Sequence, residues 1–239
     1  MADGIRRCQE VLERAAGDRK AMSTALFIQG KLEAMRGRLE EARELVARAR
    51  SLLQEVALTV WLAGPLTQMA GWVEILVGDP AMAERDLRRG VETLRRIGEL
   101  SWLSTVAGIL AEAVYVQGRY DEVEPFLQMC EETAGSEDAY SQSLLRTVRA
   151  KLLARRGDAG AAELLARQAV AVAEPTDFLF LQCFALLGLS EVLQLASRSE
   201  EARRVLQEAV ERCDRKGFTV GSVRAHAMLD ALPARPGAG

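Results

Sequence analysis

The side chains able to do chemistry in this chain are few and scattered. His226 is the single histidine, close to the C-terminal end. One imidazole cannot furnish a two-histidine motif or a Cys/His zinc site, and on an ordinary helix it reads as structural or exposed. The four cysteines, Cys8, Cys130, Cys183 and Cys213, are far apart and form no C-x-x-C pair. They read as reduced, mostly buried thiols. Carboxylates are plentiful but sit in helix-surface runs: Glu40-Glu41, Glu131-Glu132 and Glu200-Glu201. Glu40 has Arg43 three residues on, the spacing of a solvated helical ion pair rather than of an acid/base pair. The phosphate loop G-x-x-x-x-G-K-[ST], a G-x-G-x-x-G after a strand, H-E-x-x-H and G-x-S-x-G are all missing. Each is the spacing its chemistry requires, so the chain is expected to be no enzyme, and no cofactor or metal is expected.

The elements that position these residues follow from composition and spacing. The 239 residues allow one large domain or two small ones. Hydrophobic residues at 49% and charged residues at 27% exclude a disordered chain. Ala, Leu, Glu and Arg dominate, and all are strong helix formers. A net charge of −3 and an isoelectric point near 5.5 argue against a nucleic-acid or anionic-membrane partner. No asparagine is present, so no N-glycosylation acceptor exists. The N-terminus lacks the apolar core of a signal peptide. The longest apolar stretch, Phe178 to Leu195, is interrupted by Gln182, Ser190, Glu191 and Gln194. The chain is therefore expected to be soluble, cytoplasmic and not membrane-bound.

One short phrase recurs along the chain. It appears as Arg36-Gly37-Arg38-Leu39-Glu40-Glu41-Ala42, Val77-Gly78-Asp79-Pro80-Ala81-Met82-Ala83 and Gln117-Gly118-Arg119-Tyr120-Asp121-Glu122-Val123. It returns as Arg156-Gly157-Asp158-Ala159-Gly160-Ala161-Ala162, and finally as Ala196-Ser197-Arg198-Ser199-Glu200-Glu201-Ala202, where the glycine is lost. The closing small residues are spaced 41, 40, 39 and 40 residues apart. Gly78-Asp79-Pro80 stops one helix, caps the next and starts it. Each phrase is therefore a tight turn between antiparallel helices. Leu39, Ala42, Leu45, Val46, Ala49 and Leu52 after one turn, and Val106, Ile109, Leu110, Ala113 and Val114 before another, recur at helical spacing. Small residues at 42, 83, 123, 162 and 202 mark close helix crossings.

This pattern resembles the tetratricopeptide repeat. Gly118, Tyr120, Val123, Leu127 and Cys130 fall in that family's frame, as do Gly30, Gly37, Leu39, Ala42, Val46 and Ala49. The period near 40 departs from the usual ~34, and the extra residues are expected to lengthen helices or linkers. The resemblance implies an all-α, right-handed superhelix of about twelve antiparallel helices. A single repeat domain is expected over 1–232, with a Pro/Gly tail from 233 to 239. Met1 to Ala16 would be the second helix of an incomplete repeat, and Phe218 to Leu232 a closing helix. Four phrases, around Gly98 to Thr105, Val148 to Gly157, Ala173 to Leu179 and Arg215 to Val220, are similar to the C-terminal repeats of large bacterial proteins. Those proteins carry an adenylate/guanylate cyclase domain, a P-loop ATPase domain and then helical repeats. Neither catalytic domain is present here, so that resemblance implies a regulatory appendage of a signalling protein.

In repeats of this type the first helices line the concave face. The turn frame places Phe27 and Lys31, Gln68 and Trp72, Glu112 and Tyr115, Lys151 and Arg155, and Glu191 there. Trp72 and Tyr115 beside Lys151 and Arg155 would suit a peptide bearing an acidic group. Packing between repeats is the competing reading for both aromatics. A protein or peptide partner is expected, the candidates including cyclase or ATPase domains of the same polypeptide or operon. Self-association through an end helix is compatible with this. A small-molecule-sensing repeat domain is the alternative, and it would require an enclosed apolar pocket.

Overall fold

The computed structural model describes residues 1–15 and 17–233; of the expected tail, all but Pro233 lies outside them. Twelve helices occupy the described residues, with no strand among them. The chain divides into two compact units, Met1–Ala134 and Gly135–Gly239.

The first unit holds seven helices. These are α1 (Ala2–Arg14), α2 (Arg19–Met35), α3 (Leu39–Glu55), α4 (Thr59–Val77), α5 (Pro80–Ile97), α6 (Leu100–Val116) and α7 (Glu124–Thr133). Helices α2/α3, α4/α5 and α6/α7 pair as hairpins, and the first helices α2, α4 and α6 lie side by side. The second unit holds α8 (Ala139–Arg155), α9 (Ala159–Ala173), α10 (Leu179–Leu195), α11 (Ser199–Lys216) and α12 (Thr219–Asp230). Here α8/α9 and α10/α11 are the hairpins, α8 lies beside α10, and α12 packs on α11. The lengthened period is taken up by helix: α2 and α3 have 17 residues each, and α11 has 18.

The turn phrases do what their residues dictate. Gly78 takes φ +92°, and the Asp79 carboxylate accepts the Met82 N–H at 2.9 Å just before Pro80 opens α5. Asp158 caps α9 through the Ala161 N–H at 3.1 Å. Ser197, where the phrase has lost its glycine, keeps the same left-handed turn at φ +60°. The closing small residues Ala42, Ala83, Val123, Ala162 and Ala202 are all fully buried. At two crossings three periods apart, the same hydrogen bond ties first helix to second. Ser23 Oγ donates to the Ala49 carbonyl at 2.9 Å, and Ser143 Oγ to the Ala169 carbonyl at 3.0 Å.

Two local departures have physical causes. Pro65 lies inside α4, where a π-helical turn over Leu62–Leu66 accommodates its missing N–H. The turn before α7 closes as a short 3-10 segment, Tyr120–Glu122. Pro125 lacks the N–H that would extend the α-helix back over those residues. The apolar α4 is long enough to cross a membrane by length and composition. Its apolar side instead joins the core of the first unit through Leu66, Ala70 and Val73, and its Glu74 pairs with Arg43 of α3 at 2.6 Å.

Two substitutions test this account. Ser197→Gly removes left-handed strain and is expected to raise stability by about 0.5–1 kcal/mol. At Gly90, an added Cβ would stand 2.9 Å from the Ala63 carbonyl oxygen and 2.8 Å from Thr67 Cγ2. Gly90→Val should therefore cost about 1–3 kcal/mol by overpacking. Urea unfolding midpoints measure both, and equal stability of all three proteins would contradict the crossing geometry.

Candidate functional site

Each candidate side chain takes its place from the row of first helices that carries it. In the first unit these rows bury most of what they present. Phe27 of α2 is part of the apolar core. On α4, Gln68 and Trp72 stand one turn apart, and both are buried. Glu112 and Tyr115 of α6 are buried too, and the Tyr115 ring lies 5.0 Å from that of Tyr120. The aromatics therefore fill the interior. Two amide oxygens in these rows, Gln29 Oε1 and Gln68 Oε1, are buried without a hydrogen-bond donor among the described residues.

Lys31 is the half-buried cation of this face. Burial disfavours its ammonium form and pushes its pKa down to about 7. A charged Lys31 thus burdens the folded state. That burden is complete below about pH 7 and is relieved as pH rises towards the ordinary lysine value of 10.5.

The second unit brings together Lys151, Arg155 and Glu191. Lys151 and Arg155 are one turn apart on α8. The Lys151 ammonium sits 5.3 Å over the Phe184 ring of α10, a cation–π contact that helps a nearly buried charge. Arg155 reaches across to Glu191 of α10 at 3.0 Å, with the two side chains 34% and 19% exposed. This ion pair is the part of the group that solvent reaches.

A set of charges that the sequence reading did not single out ties the second helices together. Glu84 of α5 accepts from Arg88 at 2.7 Å, Arg119 at 2.6 Å and Gln117 at 2.9 Å. Burial opposes its ionisation, but these donors outweigh burial and hold the carboxyl below its ordinary value. Arg50 of α3 pairs with Asp86 of α5 at 2.7 Å. In the second unit Arg198 bonds both Glu163 of α9 and Glu201. The signal was available in the turn phrase. Arg119 and Arg198 occupy the same phrase position, and each finds a glutamate three residues on and another about 35 residues back.

Nucleophilic chemistry finds no support at His226. Its Nδ1 lies 2.9 Å from the Ser222 backbone oxygen and 3.4 Å from Ser222 Oγ. The tautomer that fits the shorter contact donates from Nδ1, so this nitrogen cannot take the serine proton. Among the described residues no group of three or more His, Cys, Asp or Glu side chains could hold a metal ion.

The first unit also carries an open groove of about 420 Å³ between α1 and α2. Cys8, Val11, Ala25 and Ile28 line it, together with Arg7 and Lys20.

No family model matches the chain, and no curated protein matches it. Solved structures do. The crystal structure of BtubC (BKLC) from P. vanneervenii matches with a TM-score of 0.57 and 13% identity, over 100% of this chain and 92% of that one. A Rap protein complexed with competence and sporulation factor matches with a TM-score of 0.59 and 14% identity, over 95% of this chain and 67% of that one. At such identities the likeness concerns the fold. With the paired helices and the 40-residue period, it identifies an all-helical, tetratricopeptide-like repeat.

Lys31 provides the test of this electrostatic picture. Its ¹³Cε resonance should titrate with a midpoint near pH 7, and Lys31→Met should raise the melting temperature much more at pH 6 than at pH 10. A midpoint near 10.5 would remove Lys31 from the buried face.

Proposed function

We propose that this chain is a non-catalytic interaction scaffold that holds a protein or peptide segment carrying an acidic group. One observation carries the reading: the Lys151–Arg155–Glu191 group. Two cations stand one turn apart on α8, the inner one over the Phe184 ring, the outer one paired with Glu191 where solvent reaches both side chains. Arginine in a partly desolvated setting is a strong carboxylate anchor. The Rap protein of the same fold, complexed with a factor, supports binding as a use of such repeats. The phrases between 98 and 220 support a narrower version. In it the chain is a cytoplasmic regulatory appendage of a bacterial signalling protein, and its partners include cyclase or P-loop ATPase domains.

A second reading, a small-molecule-sensing repeat domain, draws on the apolar groove between α1 and α2, whose volume lies in the usual ligand range. Its openness to solvent favours the interaction reading.

Panning a random-peptide phage library on the full chain tests the proposal. Enriched peptides should share an acidic residue, and their affinity should fall at least about tenfold on Arg155→Glu, the loss of one charge-assisted contact. Absence of enrichment, or peptides indifferent to Arg155→Glu, would refute it.

A further inference from the structure

We propose that Cys183 and Cys213 form a redox modification site, a dithiol that a hydroperoxide converts to a disulfide joining α10 to α11. The two sulfur atoms lie 3.1 Å apart across the α10/α11 hairpin. Both side chains are fully buried, out of contact with solvent. Cys8 and Cys130 are also buried and in no disulfide; the sulfur–sulfur contact lies between Cys183 and Cys213.

The pair lies directly beneath α12. A Cβ added at Gly221 would stand 2.9 Å from Cys213 Sγ and 2.7 Å from the Phe218 ring. Phe218 is itself buried, and it packs on Phe180 with centroids 5.7 Å apart. Access to the dithiol is therefore set by undocking of α12, a single helix packed chiefly on α11. Such peripheral helices open at a lower free-energy cost than the core.

The chemistry balances with a hydroperoxide as oxidant. Cys213 is the sulfur that lies against Gly221 of α12, so undocking of that helix uncovers it, and its contact with Cys183 holds its thiol below the ordinary value. Cys213 therefore supplies the attacking thiolate. Its sulfur attacks the terminal peroxide oxygen, and the O–O bond breaks. The leaving hydroxide of hydrogen peroxide (the alkoxide of an organic hydroperoxide) takes up the proton the thiol gave up, leaving as water or alcohol. The resulting sulfenic acid is attacked by the Cys183 sulfur. The S–S bond forms, the S–O bond breaks, and water leaves. The sulfur pair has lost two electrons and the peroxide has gained them.

The test treats the native full chain with hydrogen peroxide, then denatures it, alkylates it and maps the peptides by mass. The expected result is one cross-link, between the peptides carrying residues 183 and 213, with Cys8 and Cys130 alkylated. The melting temperature should rise by roughly 4 °C or more and return on reduction, as for closure of a loop of this length. In Cys183→Ser, oxidation should stop at a sulfenic acid on residue 213, trapped by dimedone. Phe218→Ala, which loosens the cover, should form the link several times faster. The proposal is overturned if the native chain yields no 183–213 link under peroxide that links the denatured chain. It is also overturned if other cysteine pairs link equally well.

Discussion

The close crossing between the two helices of each hairpin is the constraint on which the rest depends. Ala42, Ala83, Val123, Ala162 and Ala202 have no exposed surface, because each lies where a second helix presses against a first. At Gly30 the approach is close enough that an added Cβ would meet the Ala42 carbonyl oxygen at 3.1 Å. Larger residues there would open the hairpin, and the opened hairpin could no longer seat the next first helix. Short capped turns follow from this closeness. Two helices in such contact are joined by two or three residues at 36–38, 78–79, 156–158 and 196–198, and a left-handed residue makes that reversal possible. Ser197 shows how strongly the crossing imposes itself, since the left-handed turn persists without its glycine.

The same constraint separates the roles of the helices. First helices, stacked beside one another, are covered on most sides. α6 buries thirteen of its residues and α10 twelve, so a polar side chain on them is drawn inside along with the apolar ones. Glu112, Lys151, Thr147 and Ser190 are buried in this way. Second helices face solvent along one side, and their charges pair between neighbouring repeats, as Arg50 does with Asp86 and Arg198 with Glu163. Such partly exposed pairs add little stability individually. They do set which face of one outer helix meets the next. On the first helices Trp72 is buried whereas Arg155 and Glu191 reach solvent, and the proposed binding role rests on that pair for this reason.

A repeat fold of this kind leaves chemistry dispersed. His226 is bonded to its own helix, and Cys8 and Cys130 are buried on separate helices. The exception is a coincidence of register. Cys183 and Cys213 occupy facing positions of one hairpin, and so they meet. The helix that covers them has no second helix of its own hairpin among the described residues, which joins the reactivity of the pair to the docking of α12.

Helix content, the positions of the turns, the repeat period and the crossing residues were all legible in the chain by itself. These are local matters: a glycine or aspartate at a helix end acts on groups a few residues away, and a period of 40 follows from counting. The aromatic frame was legible as position but not as environment. The spacing that places Trp72 and Tyr115 on first helices is the same whether that face is open or covered, and only the packing of neighbouring helices decides burial. The turn arginines and their distant glutamates were visible as residues, yet their pairing required the outer helices to lie alongside one another. The meeting of Cys183 with Cys213 likewise depends on the angle and closeness of one crossing. Sequence by itself determined what each helix is and where it stops, because those forces act within a few residues. Tertiary structure alone decided which side chains meet and which meet water, because that depends on surfaces brought together from about 30 to 40 residues away.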